Sequence, residues 1–138
     1  MIKNKAAYTI SFETLTPKLF ESLYRTVGWE SPCIDQIETA LNNSYAKFVA
    51  YDGDKPVGMV RIIGDGMSFY IKDYDVIPEY QSKGVGKALM QFLEDYIRNS
   101  MPKNWAVSLE LISSKEAVAF YEKFGFEQRP CDWDGPGI

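Results

Sequence analysis

The stretch Val76 to Met90, VIPEYQSKGVGKALM, restricts the possible folds more than any other part of this 138-residue chain. A β-branched pair runs into Pro78, which cannot donate to a strand ladder, and a loop with Gly84 and Gly86 follows. From Val85 the apolar residues recur at helical spacing, through Leu89, Phe92, Leu93, Tyr96 and Ile97, and the helix is expected to end near Asn99 to Pro102. The next apolar segment, Ala106 to Leu111, reads as a strand. A strand, a helix and a second strand in that order return the chain in its original direction. The strand after the helix must therefore run parallel to the one before the glycine loop.

Upstream of this unit the pattern is different. Tyr8 to Phe12 alternates as a strand, and Thr16-Pro17 supplies a helix cap with proline at the first helical position. Phe20, Leu23, Tyr24 and Val27 form one stripe before Gly28 stops the helix. Ser31 and Pro32 repeat the start signal for a second helix with Ile34, Ile37 and Leu41 inside. Lys47 to Tyr51 and Val57 to Ile63 read as strands joined through Asp52-Gly53, an antiparallel hairpin. Asp65-Gly66 turns the chain into a third strand, roughly Met67 to Ile77, where charges among the aromatics of YIKDYDVI suggest a bulge. A last helix near Ser114 to Phe124 carries Ala117, Phe120, Tyr121 and Phe124 inward, and Gly125-Phe126 leads into a final short strand. The fold class is α+β. A mixed, mostly antiparallel sheet has flanking helices and is splayed between the third main strand and the parallel strand after it. Without repeats, low-complexity tracts or a linker, residues 1–138 read as one domain.

Composition removes several classes of function. No apolar run approaches the roughly 18 residues of a membrane span, and the first ten residues lack a secretory pattern, so neither a membrane nor export is expected. Cys33 and Cys131 lie too far apart for a zinc motif and read as reduced thiols, which points to the cytoplasm. With no histidine, a Ser-His-Asp triad and a histidine metal site are both unavailable. A net charge of -4 argues against nucleic acid as a partner.

Spacing decides among the phosphate-binding loops. A Walker A loop would need glycine at Gln81 and Ser or Thr at Ala88. The dinucleotide fingerprint would place its third small residue at Leu89, behind an antiparallel sheet. What remains is Gln81-Ser82-Lys83-Gly84-Val85-Gly86, between a strand and an amphipathic helix. Successive amides at a helix N-terminus can converge on an anion there, and glycine lets the backbone approach it. This hexapeptide resembles the acyl-CoA pyrophosphate loop, Q/R-x-x-G-x-G/A, of the GNAT superfamily of N-acetyltransferases. AVAFYEKFGF, residues 117 to 126, is similar to the closing helix of the same family.

The resemblance covers nearly the whole chain and implies transfer of an acetyl group from acetyl-CoA, as cosubstrate and without a metal, to a primary amine. It implies that Gln81, Ser82, Lys83, Gly84, Val85, Gly86 and Lys87 meet the pyrophosphate and that Val76 and Ile77 pair through their backbone with the pantetheine amides. A nearby N–H would polarise the thioester carbonyl. Many family members carry Asn where this chain has Ser114, so a contact to the pantetheine arm is altered, although Ser114 can still cap its helix. Tyr121 takes the role of general acid to the departing thiolate, and Asp73, with Asp75 as the other candidate, that of proton acceptor. Tyr24, Trp29 and Trp133 are candidates for the wall of a substrate pocket. A binding module that senses acetyl-CoA without turnover is the alternative, and a homodimer is left open. The acceptor's identity is not written in the sequence.

Overall fold

The computed structural model describes residues 8–137. Eleven short segments order the chain, and five of them form one sheet: β1 (Thr9–Ser11), β2 (Ala46–Asp52), β3 (Lys55–Gly64), β4 (Ser68–Val76) and β5 (Ser108–Glu110). Neighbours in sequence are neighbours in the sheet, with antiparallel pairing from β1 to β4 and parallel pairing of β4 with β5. The crossover between β4 and β5 is helix α3 (Val85–Ser100), as the sequence requires.

Helix α1 (Pro17–Thr26) starts where expected: the Thr16 hydroxyl accepts from Leu19 N–H at 3.2 Å, and Gly28 ends the segment in the left-handed region. Helix α2 (Ile34–Asn42) begins two residues later than the Ser31-Pro32 signal suggests. The Ser31 hydroxyl donates to Pro32 C=O instead of receiving a helix amide, and the chain stays extended to Cys33. Helix α3 buries Val85, Leu89, Met90, Leu93 and Ile97 on one stripe. Phe48 of β2 stacks edgewise on its Phe92 and Tyr96. Each fully buried side chain of this kind is worth roughly 1.5–3 kcal/mol. Phe20 and Leu23 of α1, with Ile37 and Leu41 of α2, cover the opposite face of the sheet.

Two features of β4 shape the rest of the molecule. A bulge lies where the sequence suggested one: Met59 pairs with Asp75 and Arg61 with Lys72, so β4 carries an extra residue, and Asp73 takes a left-handed φ of 52°. In addition, β5 reaches only from Ser108 to Glu110 and pairs with Ser68 to Tyr70. From Ile71 to Val76 that edge of β4 has no strand beside it among the described residues, which is the expected opening.

The C-terminal part departs from expectation. Helix α4 spans only Val118–Glu122 and follows a 3₁₀ turn at Lys115–Ala117, with Ala117, Phe120, Tyr121 and Phe124 half-buried. Ser114 occupies the cap position without a side-chain capping bond. No strand follows Gly125 among the described residues; an isolated Cys131–Asp134 bridge stands in its place. Gly125, at φ 90°, redirects the chain before Phe126 can extend the sheet.

Candidate active site

The glycine loop sits at the mouth of the β4 opening. Ser82 (φ 64°) and Gly84 (φ 89°) are both left-handed and flank Lys83. Alternation of hand over successive residues turns their N–H groups to one side and makes a concave anion site. The first backbone hydrogen bond of α3 runs from Ala88 N–H to Gly84 C=O at 3.0 Å, and among the described residues no backbone carbonyl takes up the amides of residues 82 to 87. Those groups lie at the positive end of a 16-residue helix. Lys83 and Lys87 stand exposed beside them.

Glycine is needed for different reasons at its two positions. A side chain at Gly84 would have room, its nearest neighbour being Tyr8 Cε2 at 4.0 Å, but would hold a strained φ. A Cβ on Gly86 would lie 3.2 Å from the ring of Phe120, so Gly86 is what lets α4 close on the start of α3. Free amides, a backbone that approaches closely and a flat open edge of β4 fit a diphosphate with an extended amide-bearing arm.

The strand end is only partly available to such an arm. Ile77 N–H donates to Val57 C=O at 3.0 Å and its carbonyl accepts from Tyr80, so the backbone role expected of Ile77 is committed to β3 and to the turn. Val76 remains on the open edge, with the Gln81 side chain donating to its carbonyl at 3.1 Å. Gln81 thus braces the strand end from the loop.

Tyr121 sits on α4, which closes on the start of α3 at Gly86. Its ring packs against Tyr74, Phe120 and Phe126, and its hydroxyl makes no hydrogen bond among the described residues. Burial pushes its pKa above the ordinary tyrosine value, so it keeps its proton at neutral pH. Tyr74, which no sequence pattern singled out, donates to Gly86 C=O and is itself raised strongly, chiefly by burial and then by Tyr121.

The two aspartates of β4 differ sharply. Asp73 forms an ion pair with Arg61 Nε at 2.5 Å, both side chains being under 15% exposed. Asp75 is the one buried polar or charged residue among those described, at 3% exposure, and neither carboxylate oxygen has a partner. Burial first, and the charge of Asp73 second, raise its pKa to about 8. A cavity of about 200 Å³ opens on this side of the sheet, lined by Phe20, Tyr24, Gln36, Arg61, Lys72 and Asp73 among others. Tyr24 therefore does form a wall. Its pKa is raised, first by burial and then by the charge of Asp73. Trp29 leans edgewise on Tyr24 without reaching the cavity, and Trp133 stands 70% exposed elsewhere. A wider depression of about 350 Å³ at the far end of β4, near Asp65 and Glu110, has neither the loop nor these aspartates on its lining and is assigned no role.

A sheet opened beside a helix-capping glycine loop, with Tyr121 packed on Tyr74 and a cavity lined in part by Arg61, Lys72 and Asp73, is the arrangement that the fold presents. The chain belongs to the GNAT acetyltransferase family, whose domain model matches residues 21–132, and it is an acyltransferase of that family. It is 28% identical over 137 residues to a ycf52-like N-acetyltransferase of Prochlorococcus marinus, covering 94% of this chain and 74% of that protein. It is 30% identical to a protein of Glycine max named histone acetyltransferase TAP1, covering 80% of this chain but only 51% of that one. A solved structure from meticillin-resistant Staphylococcus aureus, described as a probable acetyltransferase, superposes with a TM-score of 0.78 at 30% identity, covering 95% of this chain and 98% of the other.

Proposed function

We propose that the chain forms one acetyltransferase domain over residues 1–138 and moves the acetyl group of acetyl-CoA to a primary amine of a small molecule by direct attack. The observation that carries this reading is the set of unengaged amides from residue 82 to residue 87 at the end of the unpartnered stretch of β4. The size of the cavity beside Asp73, about 200 Å³, supports a small acceptor over a folded protein segment. Two free cysteines support a reducing compartment, the cytoplasm in our reading.

The amides of the cradle, with Lys83 and Lys87, hold the diphosphate, and Val76 aligns the arm along β4. Asp75 is assigned as the proton acceptor in preference to Asp73, because Arg61 already neutralises Asp73 while Asp75 is orphaned and raised into the working range of a base. In molecules whose Asp75 is ionised, the incoming ammonium gives its proton to that carboxylate, the neutral nitrogen bonds to the thioester carbon, and the C–S bond breaks. Tyr121 then donates its proton to the departing sulfur.

Ligand binding to the folded state alone adds RT ln(1 + [L]/Kd), about 2.7 kcal/mol at a hundredfold excess over Kd. Acetyl-CoA is expected to stabilise the protein on this scale in a thermal-shift assay. Gly84→Val, whose Cβ would meet only Tyr8 Cε2 at 4.0 Å but which loses the left-handed geometry, is expected to remove most of the shift. An undiminished shift in that variant would show that acetyl-CoA sits elsewhere.

A further inference from the structure

We infer that Tyr8 is a positioning residue for the cofactor: its hydroxyl locks the Lys83–Gly84 peptide in the orientation that the anion cradle needs. This inference rests on the cradle assigned above. Tyr8 stands immediately before β1, whose pairing with β2 places Thr9 opposite Tyr51. From there its hydroxyl crosses 75 residues of sequence to donate to Lys83 C=O at 2.8 Å. Its ring lies beside Gly84 and meets Tyr80 edge-on, with centroids 6.4 Å apart. Tyr80 in turn donates to Asp52 at the end of β2, and the ammonium groups of Lys55 and Lys83 each lie over its ring. Two tyrosines thus tie the loop to the N-terminal edge of the sheet.

The consequence follows from peptide geometry. In a trans peptide, C=O of one residue and N–H of the next point in opposite directions. Holding Lys83 C=O toward Tyr8 therefore fixes Gly84 N–H on the side away from Tyr8, where no backbone carbonyl of the described residues makes a well-formed hydrogen bond to it. Gly84, left-handed here, accepts either sign of φ, so without an anchor this peptide is free to flip. A flipped peptide presents a carbonyl oxygen to the diphosphate in place of a donor. Tyr8 removes that alternative before the ligand arrives, a case of preorganisation.

The test compares the parent with Tyr8→Phe, which keeps the ring against Gly84 and Tyr80. Calorimetric titration with CoA is expected to show a three- to tenfold weaker Kd in the variant, the range for one neutral hydrogen bond. In steady state the KM for acetyl-CoA is expected to rise by the same factor, with kcat and the acceptor KM within twofold. S-acetylpantetheine, which has no diphosphate, separates positioning from general damage: kcat/KM with this thioester is expected to be equal in the two proteins. Unchanged CoA affinity in Tyr8→Phe, or an equal loss with both thioesters, overturns the inference about Tyr8 and leaves the cradle standing. Absence of CoA binding by the parent overturns both.

Discussion

Tyr121→Phe is expected to lower turnover at saturating substrates by roughly 10²- to 10⁴-fold, the usual contribution of a positioned general acid. The substitution keeps the ring against Tyr74, Phe120 and Phe126 and deletes one hydroxyl that no protein group engages among the described residues. A hydroxyl without a buried partner contributes little to folding, so the melting temperature and the acetyl-CoA affinity are expected to stay close to those of the parent. The effect belongs in kcat, because the proton is needed only as the C–S bond breaks. Thiol release by the variant at full parental rate would return Tyr121 to a purely packing role.

The second large effect concerns Asp75 and is expected in stability as well as in rate. An orphaned, buried carboxyl whose pKa rises from the ordinary carboxylate range to about 8 binds its proton more tightly in the folded state than in the unfolded one. Its favourable contribution is therefore complete below the unfolded pKa, near 4, and is lost as pH climbs through the folded value. The slope while only the folded state holds the proton is about 1.4 kcal/mol per pH unit. Asp75→Asn has no such proton. Urea unfolding at pH 5 and at pH 8 is expected to show the parent losing at least about 2 kcal/mol relative to this variant, while the variant's turnover collapses. A gain in stability with a loss of activity is the signature of a residue kept for chemistry. Parallel stability profiles would mean that Asp75 is solvated or paired.

Much of this site was legible in the sequence, because backbone chemistry ties residue type to position. The hexapeptide from Gln81 to Gly86 announced the geometry of the loop, since a left-handed cap and a close helix approach both call for glycine at fixed places. Pro78 and the stripe of α3 announced the crossover and hence the parallel strand. The bulge in β4 was legible from its mixed charges, but its effect on the aspartates was not. The bulge decides which carboxyl meets Arg61 and which is buried alone, and the partner that settles it lies on β3, twelve residues away from Asp73. The roles of Tyr74 and Tyr8 depend on contacts across 12 and 75 residues of sequence, and nothing local marks them. The missing last strand has a similar cause: Gly125-Phe126 resembles a strand entry, yet the positive φ of Gly125 and a β5 of three residues leave it little edge to join.

The central claim is acetyl transfer to a small amine, and the rate of free thiol release from acetyl-CoA across a panel of primary amines tests it most directly. Saturable release that depends on the amine, with one acetylated small molecule formed per thiol, is the predicted result. Stabilisation by acetyl-CoA without thiol release for any amine would contradict it and leave a sensor of the cofactor. Acetylation confined to peptide or protein amines would contradict the assignment of the acceptor.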